Sequence, residues 1–193
     1  MRKRYIIFLL LSALSFLNCS ENNADKINER ASNSKMDSNQ LISKETVHYS
    51  DSIFTKKYAG IYSYGSNVEE EPVGSLTVFP ESDSTVLIYL DVCRGAPSYN
   101  LGQLRSRLAI QNDTALYFYK DQYADNGCKL LFAFTNEEIN VTTIEGYEEC
   151  GFGHAVYADG KFILSDKNIP AYFIGVEGDT IYFSELKKVK NIY

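Results

Sequence analysis

The chain has 193 residues, a formal net charge of −6 at pH 7, and 13% aromatic residues with no tryptophan. Surplus carboxylates repel phosphate backbones, which argues against a nucleic-acid partner. The same charge steers cationic partners, or simply keeps the protein soluble. Four cysteines and two histidines without paired ligand spacing give no metal site, and no cofactor motif is present.

Met1-Arg2-Lys3-Arg4 is a basic start, and Tyr5 to Leu17 is an uncharged, almost wholly apolar run. That run falls short of the roughly 20 apolar residues a membrane-spanning helix needs. A charged start, a short apolar core and an abrupt polar switch mark a secretory signal, residues 1–18. The stretch Leu17-Asn18-Cys19-Ser20 resembles a bacterial lipobox, in which the cysteine after the cut becomes the lipidated N-terminus. It departs from that pattern at Phe16 and Asn18, where Leu and a small residue are preferred. The resemblance implies lipidation of Cys19 and a membrane partner reached through the lipid. Ser20 in place of Asp implies onward sorting to the outer membrane. The alternative is an ordinary secreted protein cut near Leu17. Loss of Arg2, Lys3 and Arg4 with the signal takes the formal charge from −6 to −9.

Residues 19–55 are dense in Asn, Ser, Asp, Glu and Lys, with isolated apolar residues and no sustained period. Such a segment buries too little apolar surface to offset its ordering entropy, so a disordered tether is expected. Its root-mean-square span is roughly 30 Å. Residues 56–193 then form one β-rich domain, long enough to bury roughly two-thirds of its unfolded surface.

Lys57 to Tyr64 alternates apolar with small or polar residues and reads as a first strand, and Gly74 to Phe79 as a second, stopped by Pro80. Thr85 to Val92 is a third, apolar enough to be central. Arg94 to Gly102 is a loop by its Gly and Pro. Gln103 to Ile110 fits a strand or a short helix; strand is favoured because Asn112-Asp113 then turns it into Thr114 to Tyr119 as a hairpin. Asn126-Gly127 turns into Cys128 to Phe134, and Glu137-Glu138 into Ile139 to Ile144. Gly153 to Tyr157 and Lys161 to Leu164 flank Asp159-Gly160 as a further expected hairpin. Tyr172 to Gly175 and Thr180 to Phe183 make a last pair. The expected fold is all-β: a small antiparallel barrel or barrel-like sandwich of about eight to ten strands.

With Cys19 lipidated, Cys93, Cys128 and Cys150 remain in an oxidising compartment, enough for one disulfide and one free thiol. Cys128 opens one strand and Cys150 follows the end of the next, so a hairpin return favours Cys128–Cys150. The pairings Cys93–Cys128 and Cys93–Cys150 stay open.

Tyr58-Ala59-Gly60-Ile61-Tyr62, Gly74-Ser75-Leu76-Thr77-Val78, Cys128 to Phe134 and Cys150-Gly151-Phe152-Gly153-His154-Ala155-Val156-Tyr157-Ala158-Asp159-Gly160 together resemble a group of uncharacterised lipoproteins of Gram-negative bacteria. More distantly, the layout is similar to small β-barrel lysozyme inhibitors of the envelope. That resemblance implies a barrel, a disulfide and an inhibitory loop, of which Ser98-Tyr99-Asn100 is a loose echo.

Candidate binding residues are Arg94, Ser98, Tyr99 and Asn100, because Tyr and Arg dominate binding hot spots and the loop is flanked by glycines. The bland reading of that loop is a structural crossover. Ser98, His154 and Asp159 can be written as a triad, yet triads are defined by geometry and no Gly-x-Ser-x-Gly elbow is present. The expectation is therefore a non-enzymatic envelope lipoprotein that binds an envelope protein or a small ligand, with no catalytic residue assigned. An envelope hydrolase using His154, or a structural assembly component, is the alternative.

Overall fold

The computed structural model describes residues 53–123 and 126–189, which fall within one compact unit. The signal, Cys19 and nearly all of the expected tether lie outside the described residues. Eight strands follow one another around a closed antiparallel barrel: β1 (Gly60–Tyr64), β2 (Val73–Pro80), β3 (Thr85–Cys93), β4 (Leu101–Gln111), β5 (Thr114–Tyr119), β6 (Cys128–Phe134), β7 (Glu138–Glu145) and β8 (Gly160–Asp166). β8 returns to pair with β1, with Tyr62 opposite Leu164. A separate hairpin, β9 (Tyr172–Ile174) and β10 (Thr180–Tyr182), runs into one helical turn, α1 (Phe183–Leu186). Ten of the expected strands are present among the described residues, and eight of them close the barrel; the expected strand Gly153 to Tyr157 is missing.

Alternation in the sequence decides which side chains fill the interior. Along β4, Leu104, Ser106, Leu108 and Ile110 are buried, while Leu101, Arg105 and Ala109 are exposed. Tyr62, Leu76, Ile88, Leu90, Leu130, Phe132, Ile139 and Phe162 complete the core. Each large apolar side chain so buried contributes about 1.5–3 kcal/mol. Tyr62 carries its hydroxyl inside by donating to the carbonyl of Tyr58 at 2.9 Å. Burial pushes that phenol up to about 12.

β3 is buried on both faces. Val86, Ile88, Leu90 and Val92 point into the barrel, whereas Leu87 and Tyr89 join Phe79 of β2 in a second cluster outside it. That outer cluster is covered by the C-terminal hairpin: Phe173 stacks on Tyr89 at 4.1 Å and Phe183 on Phe79 at 5.0 Å. The continuous apolar run of β3 thus reflects a cover on its outer face, not a central place in an open sheet. Arg107 fastens this cover. Its guanidinium forks onto the Glu81 carboxylate at 2.6 and 2.7 Å and donates to the Val189 carbonyl at 2.9 Å.

Two boundaries differ from expectation. The ordered fold begins before residue 56. Phe54–Tyr58 is a 3₁₀ turn in which Thr55 is fully buried and donates to the Ser82 carbonyl at 2.5 Å. Its neighbour Tyr58 donates to Asp113, which also pairs with Lys57 at 3.3 Å. The first strand consequently starts at Gly60, not Lys57. At Gly60, φ is 149° and a Cβ would lie 2.4 Å from the Asp166 carbonyl oxygen, so only glycine fits.

The expected strand Gly153 to Tyr157 is instead irregular backbone. Left-handed φ at Gly151 (73°) and Ala155 (56°) breaks the extension, and Val156 turns back to donate to Gly153 at 3.1 Å. Asp159 does not head a tight hairpin turn. It accepts from the Thr143 backbone at 2.9 Å and the Thr143 hydroxyl at 2.6 Å, across the loop between β7 and β8. Val156 and Ala158 drop into the core, so the segment plugs one end of the barrel.

The two ends are unequal. One carries the long connections 65–72, 94–100, 120–127 and 146–159; the other carries the short turns 81–84, 112–113 and 135–137, where the 3₁₀ turn also packs. Asn112 and Asp113 have φ of 50° and 59°, the positive pair that a two-residue hairpin turn requires.

Candidate functional site

β3 and β4 pair without interruption from Thr85–Ala109 to Cys93–Leu101. On its other flank β4 meets β5 only at Ile110–Ala115 and Gln111–Thr114, next to the turn. The hairpin read from sequence is therefore closed at its turn and splayed beyond it. The plug bounds the far end of the splay. Cys150 is bonded to Cys128, which pairs with Tyr119 at the end of β5, and three residues later Gly153 donates to the Leu101 carbonyl of β4 at 2.9 Å. Gly102 lies against the Phe152 ring, where a Cβ would come within 2.7 Å.

A cavity of about 670 Å³ occupies this seam. β4 supplies Gln103, Leu104 and Arg105; β5 supplies Tyr117 and Tyr119; β3 supplies Tyr89; Phe173 and the β9–β10 tip, including Glu177 and Asp179, form the cover. The volume is that of a small-molecule site, and its lining mixes aromatic rings with the charged Arg105, Glu177 and Asp179.

Two buried polar atoms of the lining residues lack partners. Among the described residues, the Tyr89 hydroxyl and Gln103 Oε1 are buried side-chain oxygens with no hydrogen bond. Tyr89 is only 7% exposed. A buried group left unpaired costs about 1–3 kcal/mol, so such atoms are retained where something outside the ligand-free fold satisfies them. Burial, reinforced by the Asp91 and Asp179 carboxylates and opposed by Arg105, pushes the Tyr89 phenol up to about 12. It is a neutral hydroxyl at physiological pH and can donate. The Gln103 amide donates from Nε2 to Asp91 at 3.3 Å, which turns Oε1 the other way as a free acceptor. Burial raises the Asp91 carboxyl, and the Gln103 bond opposes that rise.

The sequence-predicted binding residues sit at the long-loop end and do not line this cavity. Arg94 donates its backbone N–H to the Asn100 carbonyl at 2.9 Å and lines a second, smaller cavity of about 280 Å³ beside the free Cys93. Ser98 is exposed. Tyr99, 41% exposed with φ of 49°, donates its hydroxyl to Glu69. Asn100 donates to the His154 carbonyl at 2.8 Å. The loop is thus stitched to its neighbours 65–72 and 146–159. His154 is exposed, and among the described residues no hydrogen bond joins it to Ser98 or Asp159.

Cys128 and Cys150 form the disulfide, with their Cα atoms 4.7 Å apart, and Cys93 is free. Sequence reasoning passed over Tyr89, Gln103 and Arg105. The only signal for them was polar residues facing outward beside a strand buried on both faces.

Protein-family models, curated proteins and solved structures contain no match to this chain.

Proposed function

We propose that this protein is a non-enzymatic binding module of the bacterial envelope, held to the membrane through Cys19, that takes a small ligand in the seam between β4 and β5. The observation that carries the ligand site is a cavity of small-molecule size lined by Tyr89 and Gln103, residues whose side-chain oxygens are buried and unpartnered. The apolar run Tyr5 to Leu17 and the cysteine after it support the anchor. Titrating a fragment set into isotope-labelled protein tests the site. Amide shifts gathered at Gln103, Arg105, Tyr117 and Gly151 are expected, and binders that all map elsewhere refute it. Inhibiting lipoprotein processing tests the anchor: the precursor should shift in gel mobility, and an unchanged band removes the lipid.

The competing reading is a protein partner on the loop 94–100, favoured by the exposure of Ser98 and Tyr99. A partner captured from envelope extract and lost with the double variant Arg94→Ala/Tyr99→Ala would establish it. Its muramidase-inhibitor form predicts loss of lysozyme activity at stoichiometric mixing, and undiminished activity removes that form.

A further inference from the structure

We infer that the β4–β5 seam binds an extended peptide segment, which adds as an antiparallel strand to the free edge of β4 at Gln103 and Arg105. This rests on the seam being the binding site and names the chemistry of its occupant. Two hydrogen bonds fix which way the backbone of β4 faces. The Ile110 N–H donates to the Ser84 carbonyl at 2.7 Å, on the β3 side. The Leu101 carbonyl accepts from Gly153 at 2.9 Å, on the opposite side. The register between β3 and β4 runs from Thr85–Ala109 to Cys93–Leu101 without a bulge, so the in-plane groups alternate strictly between the two sides. The N–H and C=O of Leu104 and Ser106 therefore serve β3, and those of Gln103 and Arg105 face the seam. β5 does not reach them. Continued at constant register, the Gln111–Thr114 rung would set Arg105 opposite Lys120 and Gln103 opposite Gln122, past the end of β5 at Tyr119. Among the described residues, no rung, loop or side chain bonds these seam-facing backbone groups.

The cavity lies in the plane of the missing rungs. Tyr89 belongs to the outer cluster, and Leu104 and Tyr117 belong to the barrel core, yet all three line the same space. Both faces of one sheet can line one cavity only where the sheet is interrupted. A free strand edge offers donors and acceptors at the spacing of another backbone, and a peptide added there gains affinity from main-chain bonds and selectivity from alternate side chains. Those side chains fall on opposite faces. Inward ones meet Leu104, Tyr117 and Tyr119; outward ones meet Phe173 and the charged groups at the mouth. Arg105, Glu177 and Asp179 are exposed, and none makes an ion pair among the described residues. Two carboxylates against one guanidinium favour a basic outward side chain. A volume of about 670 Å³ suits a short segment, with apolar residues inward and basic residues outward.

The test uses isotope-labelled protein from Ser20 onward, which keeps every described residue, and the pentapeptide acetyl-Lys-Val-Lys-Val-Lys-amide as probe. Its lysines pair with β4 when its valines point inward, because opposed residues of an antiparallel pair share a face. On binding, the Gln103 and Arg105 amides should gain about tenfold or more in exchange protection, while Leu104 and Ser106, already bonded to β3, change little. Two N-methylated isomers then read the direction of the bonds. Methylation of the central lysine removes an N–H that faces β4 and should weaken binding about tenfold relative to methylation of a valine, whose N–H faces away. On the protein, Arg105→Pro removes an edge donor that β3 does not use, a place where a strand tolerates proline. It should weaken the peptide about tenfold beyond Arg105→Ala, which removes the side chain alone. The isomer pair is read on unaltered protein and decides the matter whether or not Arg105→Pro folds. Equal or reversed binding of the isomers, or a bound peptide that leaves Gln103 and Arg105 unprotected, overturns strand addition while leaving the seam as the site. A peptide that does not bind the seam also overturns it, and the fragment titration decides separately whether the seam binds anything.

Discussion

β4 is paired with β3 along its whole shared length and with β5 at two rungs beside the turn. The β3 side is held by a backbone ladder, and its outer face lies under Phe173 and Phe183. The β5 side is held at one end by Asn112-Asp113 and at the other by a plug that the Cys128–Cys150 bond pins to β6. Stability and access are thus divided across a single strand. A continuous ladder leaves no room for a ligand, whereas a seam closed only at its ends leaves a cavity and passes the cost of the missing ladder to a cover and a covalent staple.

Breaking the covered side should produce the largest effect. Phe183 is fully buried against Phe79 and Phe173, at 5.0 and 5.3 Å. Phe183→Ala should cost about 3–5 kcal/mol in denaturant unfolding. Exchange protection should fall along β9 and β10, with β6 and β7 less affected. Equal loss of protection in all strands would show that cover and barrel are one cooperative unit.

Opening the plugged side comes next. Replacing both Cys128 and Cys150 by Ser should destabilise by about 2–4 kcal/mol. Amides of Leu101 to Arg105 should exchange faster while Val86 to Leu90 remain protected, because the ladder to β3 is untouched. Unchanged exchange at the start of β4 would mean that Phe152 and Gly153 hold the plug without the bond.

Much of this architecture was legible in the sequence. Alternation located the barrel strands, Asn112-Asp113 its tightest turn, and the hairpin return of β6 and β7 the partner of Cys128. The seam was not legible, since inward and outward alternation in β4 and β5 is the same whether or not their backbones meet. Gly153 to Tyr157 failed for a related reason. Its apolar residues do enter the core, but through turns at Gly151 and Ala155 that an alternation pattern cannot report. The run Val86 to Leu90 held more information than was drawn from it: consecutive apolar residues demand burial on both faces, and a barrel supplies only one.

High pH compares the two environments directly. Tyr62 in the core and Tyr89 under the cover both have phenols raised to about 12 by burial. The folded state therefore keeps two protons that the unfolded chain releases near its ordinary value of about 10. The stabilisation is fully present below about pH 10 and is lost as pH rises toward 12, by about 2–3 kcal/mol for each phenol. Ultraviolet titration should show these two phenolates appearing together with unfolding. Their smooth ionisation in folded protein would mean that water reaches both rings.

Tyr89→Phe should have the smallest effect on stability and the opposite sign. The ring keeps its stacking on Phe173, while the hydroxyl that finds no partner is removed. Deleting a buried, unsatisfied polar group should raise stability by about 1 kcal/mol, and Tm with it, at neutral pH. A tyrosine that weakens the ligand-free fold is what a ligand site retains at a cost to stability. If Tyr89→Phe instead destabilises the ligand-free protein, its hydroxyl is already satisfied there, and the seam loses the donor on which its reading as a ligand site depends.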